Sequence, residues 1–236
     1  MAENQFLVLF IQLSSLPFII LSRCCETLNA WCIREDINKC LKVIDSPTHQ
    51  IPFSFLFYLV VAEDRRNAIH KGVDPFAMIR AVYIRIRNGD TQGASTIEQQ
   101  FVRVITNRFE RNISRKIREQ VLAIAVSRRR GKHQIARAYL SSAFYGYGIT
   151  GVIGLKYQCG YNLDTVLDYK VLEMIARLKY PEPLYPSAQW EIKLQQRIEY
   201  IRACARQLAI NQTYSRRNFH ALGSPTIKAN KPASRA

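Results

Sequence analysis

The feature that most constrains the fold is the spacing of apolar residues, which recur every three or four positions through most of the chain. Between positions 164 and 179, for example, the apolar positions are Leu167, Val171, Met174, Ile175 and Leu178. This spacing puts them on one face of an α-helix. No segment shows the strict alternation that is typical of a half-buried strand. The sequence therefore predicts a mainly α fold.

Capping residues mark several helix ends. Asp74 and Pro75 suit the N-cap and first turn of a helix that ends near Asn88-Gly89. Its apolar positions are Phe76, Ile79, Val82, Tyr83 and Ile86. Ser95 and Glu98 fit a capping box, with Ser95 as the N-cap of the next helix and Glu98 reaching back to it. Further helices are expected from near Ser114, over 164–179 and over about 189–208.

The N-terminal stretch FLVLFIQLSSLPFIIL, residues 6–21, is apolar and uncharged. A helix that crosses a membrane needs about 20 such residues. We expect the stretch to be embedded in a membrane or to lie on it, with a buried helix as the alternative. The predicted organisation is an N-terminal apolar segment at 1–50, one domain at 51–210 and a basic, disordered tail at 211–236.

The charge of the chain points to an anionic partner. Its 236 residues carry a net charge of +16, and eleven Lys or Arg stand against two acidic residues in 103–137. Nucleic acid, phosphate-bearing lipid and an acidic polymer all fit such a surface. The six cysteines show no spacing typical of a zinc site, and free thiols are the preferred interpretation.

Three polar segments could carry chemistry. In AEDRRNAIHKGVDP (62–75), Glu63 and Asp64 follow an apolar run, where a partly dry cleft would favour a carboxylate that acts as a base. In GASTIEQQFVR (93–103), Gln100 and Arg103 share a helix face. In SRKIREQ (114–120), Arg115 and Lys116 stand four and three residues before Glu119. Taken singly, each segment is more typical of an ordinary charged helix surface, and His70 of a structural hydrogen bonder.

In their order, the three segments resemble the signature motifs of peptidoglycan glycosyltransferases, glycosyltransferase family 51. This is the transglycosylase module of class A penicillin-binding proteins and of their monofunctional relatives. The family patterns are E-D-x-x-F-x-x-H-x-G, G-x-S-T-I-x-Q-Q-x-x-K and R-K-x-x-E. The resemblance continues through YLSSAFYGYGITGV (139–152) and covers roughly residues 51–202.

The resemblance implies an α-helical, lysozyme-like domain of two lobes that polymerises lipid II into glycan chains and releases undecaprenyl pyrophosphate. Glu63 matches the catalytic base, and Glu119 matches the glutamate that helps to organise the donor pyrophosphate. Further matches to the donor site are Ser95, Gln100, Arg103, Arg115 and Lys116. Asp64, Thr96 and Gln99 match motif positions that support the cleft or touch substrate. Mg²⁺ or Mn²⁺ is the candidate cofactor, with Glu119 as its candidate ligand.

The implied partners are lipid II, the growing glycan strand, the membrane surface and other cell-wall synthesis proteins, with no nucleic acid. The implied location is the bacterial inner membrane, with the active domain on its periplasmic face. Three positions depart from the family patterns: Asn67 replaces Phe, Arg103 replaces Lys and Ser141 replaces Asn. The alternatives are a degenerate relative that binds without turnover, a basic nucleic-acid-binding protein and a lysozyme-like hydrolase.

Overall fold

The computed structural model describes residues 2–47, 50–89 and 93–210. Its helices are α1 (Ala2–Thr27), α2 (Ile33–Ile44), α3 (Phe53–Glu63), α4 (Pro75–Asn88), α5 (Ile97–Thr106), α6 (Ile113–Ser127), α7 (Lys132–Ser142), α8 (Gly151–Cys159), α9 (Asp168–Arg177) and α10 (Ala188–Ile210). Short 3₁₀ helices occupy Ala30–Cys32 and Leu163–Thr165, and strands β1 (Phe144–Gly146) and β2 (Ile149–Thr150) form an antiparallel hairpin. The mainly α prediction is confirmed, although the hairpin was not predicted.

Helix α6 lies at the centre of the larger group of helices. Nine consecutive residues, 118–126, are buried in it. Helices α1, α2 and α5 pack against α6, while α7 packs on the other side of α5. Helix α9 packs between α3 and α10. A helix buried on all sides cannot be amphipathic, so the polar residues at its N-terminal end must be held by partners.

Helix α2 belongs to the same core as the helices that follow residue 51. Its residues Ile33, Ile37, Cys40 and Ile44 are all buried in the main apolar cluster. The buried Asp36 of α2 forms an ion pair with Arg118 of α6. The division of the chain at residue 50 stays a prediction, but the α2 core contacts extend the packed unit to its N-terminal side.

Helix α4 has the predicted bounds but an unexpected orientation. The Asp74 side chain accepts a hydrogen bond from Ala77 N at 2.9 Å, and Gly89 ends the helix in the left-handed conformation. The apolar face is turned outward, because its members Phe76, Ile79, Val82, Tyr83 and Ile86 are all exposed. Periodicity identifies a helix and its apolar face, but it does not say what that face contacts.

The capping box predicted at the start of α5 is wrong. The N-cap is Thr96, whose side chain accepts from Gln99 N at 3.2 Å, and Ser95 lies one residue before it. Glu98 does not reach back to the cap, because it is fully buried and ion-paired with Lys132. Helix α6 likewise begins slightly earlier than expected, with Asn112 as its N-cap.

The remaining predictions concern the cysteines and the tail. All six cysteines are free thiols, in agreement with the preferred interpretation. The predicted basic tail at 211–236 lies outside the described residues.

A substitution at Gly72 tests the packing between the first polar segment (62–75) and α6. Its φ is +94°, and a Cβ placed there would lie 2.6 Å from the Ala123 carbonyl oxygen of α6. Gly89 has a φ of +72°, but no atom of the described residues lies within 4 Å of such a Cβ. We expect Gly89→Ala to lower the free energy of unfolding by about 1 kcal/mol, from backbone strain alone. Gly72→Ala adds a backbone clash and should cost about 3 kcal/mol or more.

Denaturant unfolding of both variants measures the difference. Equal losses for the two substitutions would contradict the close contact between Gly72 and α6.

Candidate active site

A cleft of about 930 Å³ opens where the end of α3 meets α4, α5 and α10. Glu63, Ser95, Gln100 and Arg103 line it, together with Arg197 of α10.

Glu63 is the last residue of α3, and its side chain is about one-sixth exposed (17%). One carboxylate oxygen accepts from Gln100 Nε2 at 3.0 Å, and the other pairs with Arg197 Nη2 at 2.8 Å. The same guanidinium nitrogen also donates to the Ala62 carbonyl at 2.8 Å. The carboxylate is thus fixed in position on the cleft wall while it keeps acceptor capacity toward the cleft.

Gln100 is oriented by a second hydrogen bond. Tyr139 Oη of α7 donates to Gln100 Oε1 at 2.7 Å, which leaves the amide nitrogen to donate to Glu63. Burial, and then the negative charge of Glu63, raise the pKa of Tyr139 above its ordinary value. Tyr139 is therefore protonated at neutral pH and remains a donor. The hydrogen bonds run in one direction, from Tyr139 to Gln100 and from Gln100 to Glu63.

Glu119 lies among three cations, and its side chain is only 3% exposed. Arg103 of α5 contacts both carboxylate oxygens, at 2.9 and 3.0 Å. Lys116 Nζ binds Oε1 at 2.7 Å, and Arg115 Nη1 binds Oε2. Burial alone would raise the pKa of Glu119, but the hydrogen bonds and charges of Arg103 and Lys116 lower it overall. Glu119 is therefore ionised, and the cluster keeps a net charge of +2.

Lys116 connects this cation cluster to the loop before α5 by a hydrogen bond. Its Nζ donates to Ser95 Oγ at 2.9 Å and to Gln99 Oε1 at 3.2 Å. Arg103 Nη2 also reaches Ser95 Oγ, at 3.4 Å. Desolvation lowers the pKa of Lys116, although Glu119 acts in the opposite direction. Ser95 is thus an acceptor for two cations at the cleft edge.

The surroundings of Glu119 do not fit a directly bound metal ion. Each oxygen already accepts from two cationic donors, which fills the in-plane lone-pair directions of a carboxylate. Three neighbouring cations would also repel a divalent ion. The candidate role of Glu119 as a metal ligand is therefore not supported by this arrangement, and we derive no step through a metal.

Asp64 lines the cleft, but its carboxylate is buried and has a structural role. It is buried, it contacts His70 Nε2 at 3.0 Å, and it accepts from the backbone N of Ile97 at 3.2 Å. Thr96 works alongside it, since Thr96 Oγ1 donates to the Gly72 carbonyl at 2.7 Å. These bonds hold the turn after Glu63 against the N-terminal end of α5, where an anion is favourable.

Behind Asp64 lies a buried polar network that includes the departure Asn67. Asn67 Nδ2 donates to Asp64 at 3.2 Å and to Glu98 at 3.4 Å. Lys132 Nζ pairs with Glu98 and lies 3.3 Å from His70 Nδ1. Candidate ligand atoms of Asp64, His70 and Glu98 lie within 4.8 Å of one another, but the Lys132 ammonium already supplies a cation beside them.

Two clusters account for most of the predicted site residues. Glu63 contacts Gln100, and Glu119 contacts Arg103, Arg115 and Lys116. Ser95 and the buried Gln99 join the second cluster through Lys116. Asp64 and Thr96 support the cleft from below.

Three residues of the site were missed by sequence reasoning. Arg197 lies in the helix predicted over about 189–208, and Tyr139 is the first residue of the segment YLSSAFYGYGITGV, so both belong to segments that the sequence analysis had identified. Lys132 carried no local signal, because its partner Glu98 is 34 residues away along the chain.

Comparisons with known proteins agree with this arrangement. A family model described as "Transglycosylase" matches residues 37–197. Penicillin-binding protein 1A of Rickettsia prowazekii is 36% identical over 110 residues, which cover 45% of this chain and 14% of that protein. Penicillin-binding protein 1A of Haemophilus influenzae is 38% identical over 103 residues, or 43% and 12%. That of Aquifex aeolicus is 38% identical over 104 residues, or 44% and 14%. The match thus spans about one-seventh of the length of these relatives.

Asp64 predicts a specific dependence of stability on pH. Burial opposes its ionisation, but the charge and hydrogen bond of His70, with Lys132 and Asn67, lower its pKa to about 2. Because the folded pKa lies below the unfolded value of about 3.9, the stabilisation is present above pH 4 and is lost as pH falls toward 2. The free energy of unfolding of wild type should therefore fall by about 2 kcal/mol more over this pH range than that of Asp64→Asn.

The measurement is the free energy of unfolding from pH 6 down to pH 2. The exposed Asp164, replaced by Asn, is the matched control and should follow the wild-type curve. An unchanged acid slope in Asp64→Asn would show that the buried carboxylate is not stabilised as described.

Proposed function

Because the chain belongs to the transglycosylase family, we propose that it is a peptidoglycan glycosyltransferase that polymerises lipid II into glycan chains and releases undecaprenyl pyrophosphate. The family and the helical fold class predicted from the motifs are confirmed. The activity, the substrate and the role of each residue are proposals.

The observation that carries the proposal is a carboxylate on the cleft wall beside a cation cluster that reaches the same cleft through Ser95 and Arg103. Glu63 lies on the open wall with Arg197 as its cationic partner. Glu119 is saturated by three cations and serves to hold them together. A base for a sugar hydroxyl and a fixed positive site for a diphosphate are the two requirements of this reaction.

In the proposed mechanism, Glu63 accepts the proton of the acceptor sugar's 4-hydroxyl. The resulting oxygen attacks the anomeric carbon of the donor chain, with inversion, and the bond to the pyrophosphate oxygen breaks. Negative charge then develops on the leaving group, where Arg103, Arg115 and Lys116 stabilise it. Ser95 orients two of these cations, and Gln100 orients Glu63.

The alternatives are less well supported by the site. A glycan hydrolase of the two-carboxylate type needs a second carboxyl group that is free to react, and Glu119 has no free oxygen. A nucleic-acid-binding role was suggested by the cations of 103–137, but six of the eight cations there outside the Glu119 cluster are ion-paired with other carboxylates. The alternative that the chain is a degenerate relative depends on two departures from the family patterns, Asn67 and Ser141. Asn67 is satisfied by Asp64 and Glu98, while the buried Ser141 Oγ has no partner among the described residues.

The proposed surroundings are a membrane that supplies the lipid-linked substrate. Residues Gln5–Thr27 are long and apolar enough to cross one, by length and composition. We place the protein at the bacterial inner membrane, with its cleft on the periplasmic face and with the growing glycan strand and other cell-wall synthesis proteins as partners.

Replacement of Glu63 by Gln tests the base. The amide keeps the size and a hydrogen-bonding oxygen but cannot accept a proton, so chain formation from labelled lipid II should fall by about 10²–10⁴-fold. Glu199→Gln, an exposed glutamate of α10, is the matched control and should keep wild-type activity. Lipid II binding should survive in both variants.

Polymer formation by Glu63→Gln at the wild-type rate would remove Glu63 as the base. Absence of polymer from the wild type, with lipid II still bound, would favour the degenerate relative.

Arg103 tests the cation cluster, because the family pattern has Lys at this position. Arg103→Lys keeps the charge but loses the two-point contact with Glu119, so we expect less than about a tenfold loss of kcat/KM. Arg103→Met loses the charge and should cost about 10²–10³-fold. Equal losses in the two variants would show that the shape of the guanidinium, and not its charge, is what the reaction needs.

A further inference from the structure

The amide of Gln100 on α5 makes a different hydrogen bond at each of its two ends. Its nitrogen donates to Glu63 Oε2 at 3.0 Å, and its oxygen accepts from Tyr139 Oη at 2.7 Å. The oxygen and the nitrogen of a glutamine amide are similar in size, and a half-turn about the last side-chain bond exchanges them. The groups around the amide therefore decide which of the two faces Glu63.

The turned amide is unfavourable at both ends while Glu63 is ionised. Its oxygen would face the Glu63 carboxylate, and two acceptors with no proton between them repel each other. Its nitrogen would face Tyr139 Oη, so the phenol proton would need another acceptor. Tyr139 Oη has no second partner among the described residues, and the proton would be left buried and unpaired.

Tyr139 is itself held firmly in the core. Its side chain belongs to a residue that is only 5% exposed, and its neighbours Ala138 and Leu140 are fully buried. Helix α7 contacts α5 twice, through Lys132 with Glu98 and through Tyr139 with Gln100. Lys132 and Tyr139 are two helical turns apart, so both contacts lie on one face of α7. The phenol cannot turn away from Gln100 without disrupting this packing.

Tyr139 keeps its proton over the pH range in which a carboxylate titrates. Burial, and then the charge of Glu63, raise the pKa of this phenol. The charged groups that border the cleft around Glu63 include Asp64, Arg65, Arg103, Lys179, Lys193 and Arg197. Lysine and arginine stay cationic from pH 4 to pH 8, and the pKa of Asp64 is lowered to about 2. A titration observed at Glu63 in this range therefore reports Glu63 itself.

We propose that Tyr139 is a positioning residue, which holds the Gln100 amide with its nitrogen toward Glu63 and so favours the ionised Glu63 that can accept a proton. Tyr139 acts through Gln100, because its hydroxyl bonds to that amide and not to Glu63. Hydrogen bonds in a chain polarise one another, so the bond from Tyr139 also strengthens the bond that Gln100 donates. The proposal rests on the proposed function only in naming Glu63 as the base. The orientation of Gln100 is a property of the free protein.

Tyr139→Phe tests the proposal, because it removes the hydroxyl and keeps the ring. Gln100 Oε1 then loses its donor, and the turned amide, whose oxygen accepts from a protonated Glu63, becomes favourable. The free protein is labelled with ¹³C at the glutamate carboxyl carbons and titrated by NMR, with the Glu63 signal identified by its absence from Glu63→Gln. We expect the Glu63 titration midpoint to lie about 0.5–1 pH unit higher in Tyr139→Phe than in wild type.

Tyr145→Phe is the matched control. Tyr145 is also fully buried, and its Oη donates to the Leu140 carbonyl at 2.7 Å, not to Gln100. This substitution removes a buried hydroxyl from the same region, so the Glu63 midpoint should stay at its wild-type value. If both substitutions raise the midpoint equally, or if Tyr139→Phe leaves it in place, Tyr139 has only a structural role and the proposal fails.

Gln100→Met tests whether the effect of Tyr139 passes through the amide. This substitution should raise the Glu63 midpoint by itself, and the addition of Tyr139→Phe should raise it no further. Increases that add in the double variant would mean that Tyr139 acts on Glu63 without Gln100, which contradicts the proposal.

Turnover provides a second readout, in which kcat is separated from KM. Tyr139→Phe should lower kcat for glycan-chain formation about tenfold and change KM for lipid II by less than about twofold, because the phenol orients the base and does not hold the substrate. The acidic limb of kcat/KM should move to higher pH by the same amount as the NMR midpoint. A raised KM with unchanged kcat would overturn the proposal. If the wild type forms no polymer, the proposed function fails, while the Glu63 titration in the free protein still decides the role of Tyr139.

Discussion

The buried carboxylate of Asp64 is the interaction on which the geometry of the cleft depends. It accepts from the backbone N of Ile97 and contacts the His70 ring, so it joins the turn after α3 to the first residue of α5. Helix α5 then presents Gln100 to Glu63 and, one turn later, Arg103 to Glu119. Because both contacts lie on one rigid helix, their separation is fixed by the helical repeat. A shift at the Asp64 contact would therefore move both halves of the site together.

The two glutamates show how position on a helix determines chemistry. Glu63 ends a helix at the cleft, where one arginine and one amide hold it and solvent still reaches it. Glu119 lies in the second turn of a buried helix, where desolvation is offset only because three cations converge on it. Removal of that carboxylate would leave three cations to repel one another. Glu119 thus holds positive charge at a fixed place, which suits the diphosphate leaving group of the proposed reaction.

The sequence predicted most of the helices and of the candidate site residues, but not which partners each of these residues contacts. The spacing from Arg115 to Glu119 depends only on the helical repeat, so that cluster could be expected from local sequence. The partners of Glu63 could not, since Arg197 and Tyr139 come from distant helices. For Glu98, the local pattern suggested a cap, and tertiary pairing with Lys132 prevailed over it. The outward orientation of the apolar face of α4 could not be predicted either, because periodicity identifies a face but not what it contacts.

The departure at Asn67 is explained by its neighbours rather than by the cleft. A phenylalanine at this position could not donate a hydrogen bond to Glu98, which is fully buried. Asn67 supplies that donor and at the same time binds Asp64, while Lys132 neutralises Glu98. One Glu98 oxygen still has no partner among the described residues, so the network is not fully satisfied. Asn67, Glu98 and Lys132 therefore form one coupled unit. Replacement of any one of them leaves a buried polar group without its hydrogen-bond or ion-pair partner, which is destabilising.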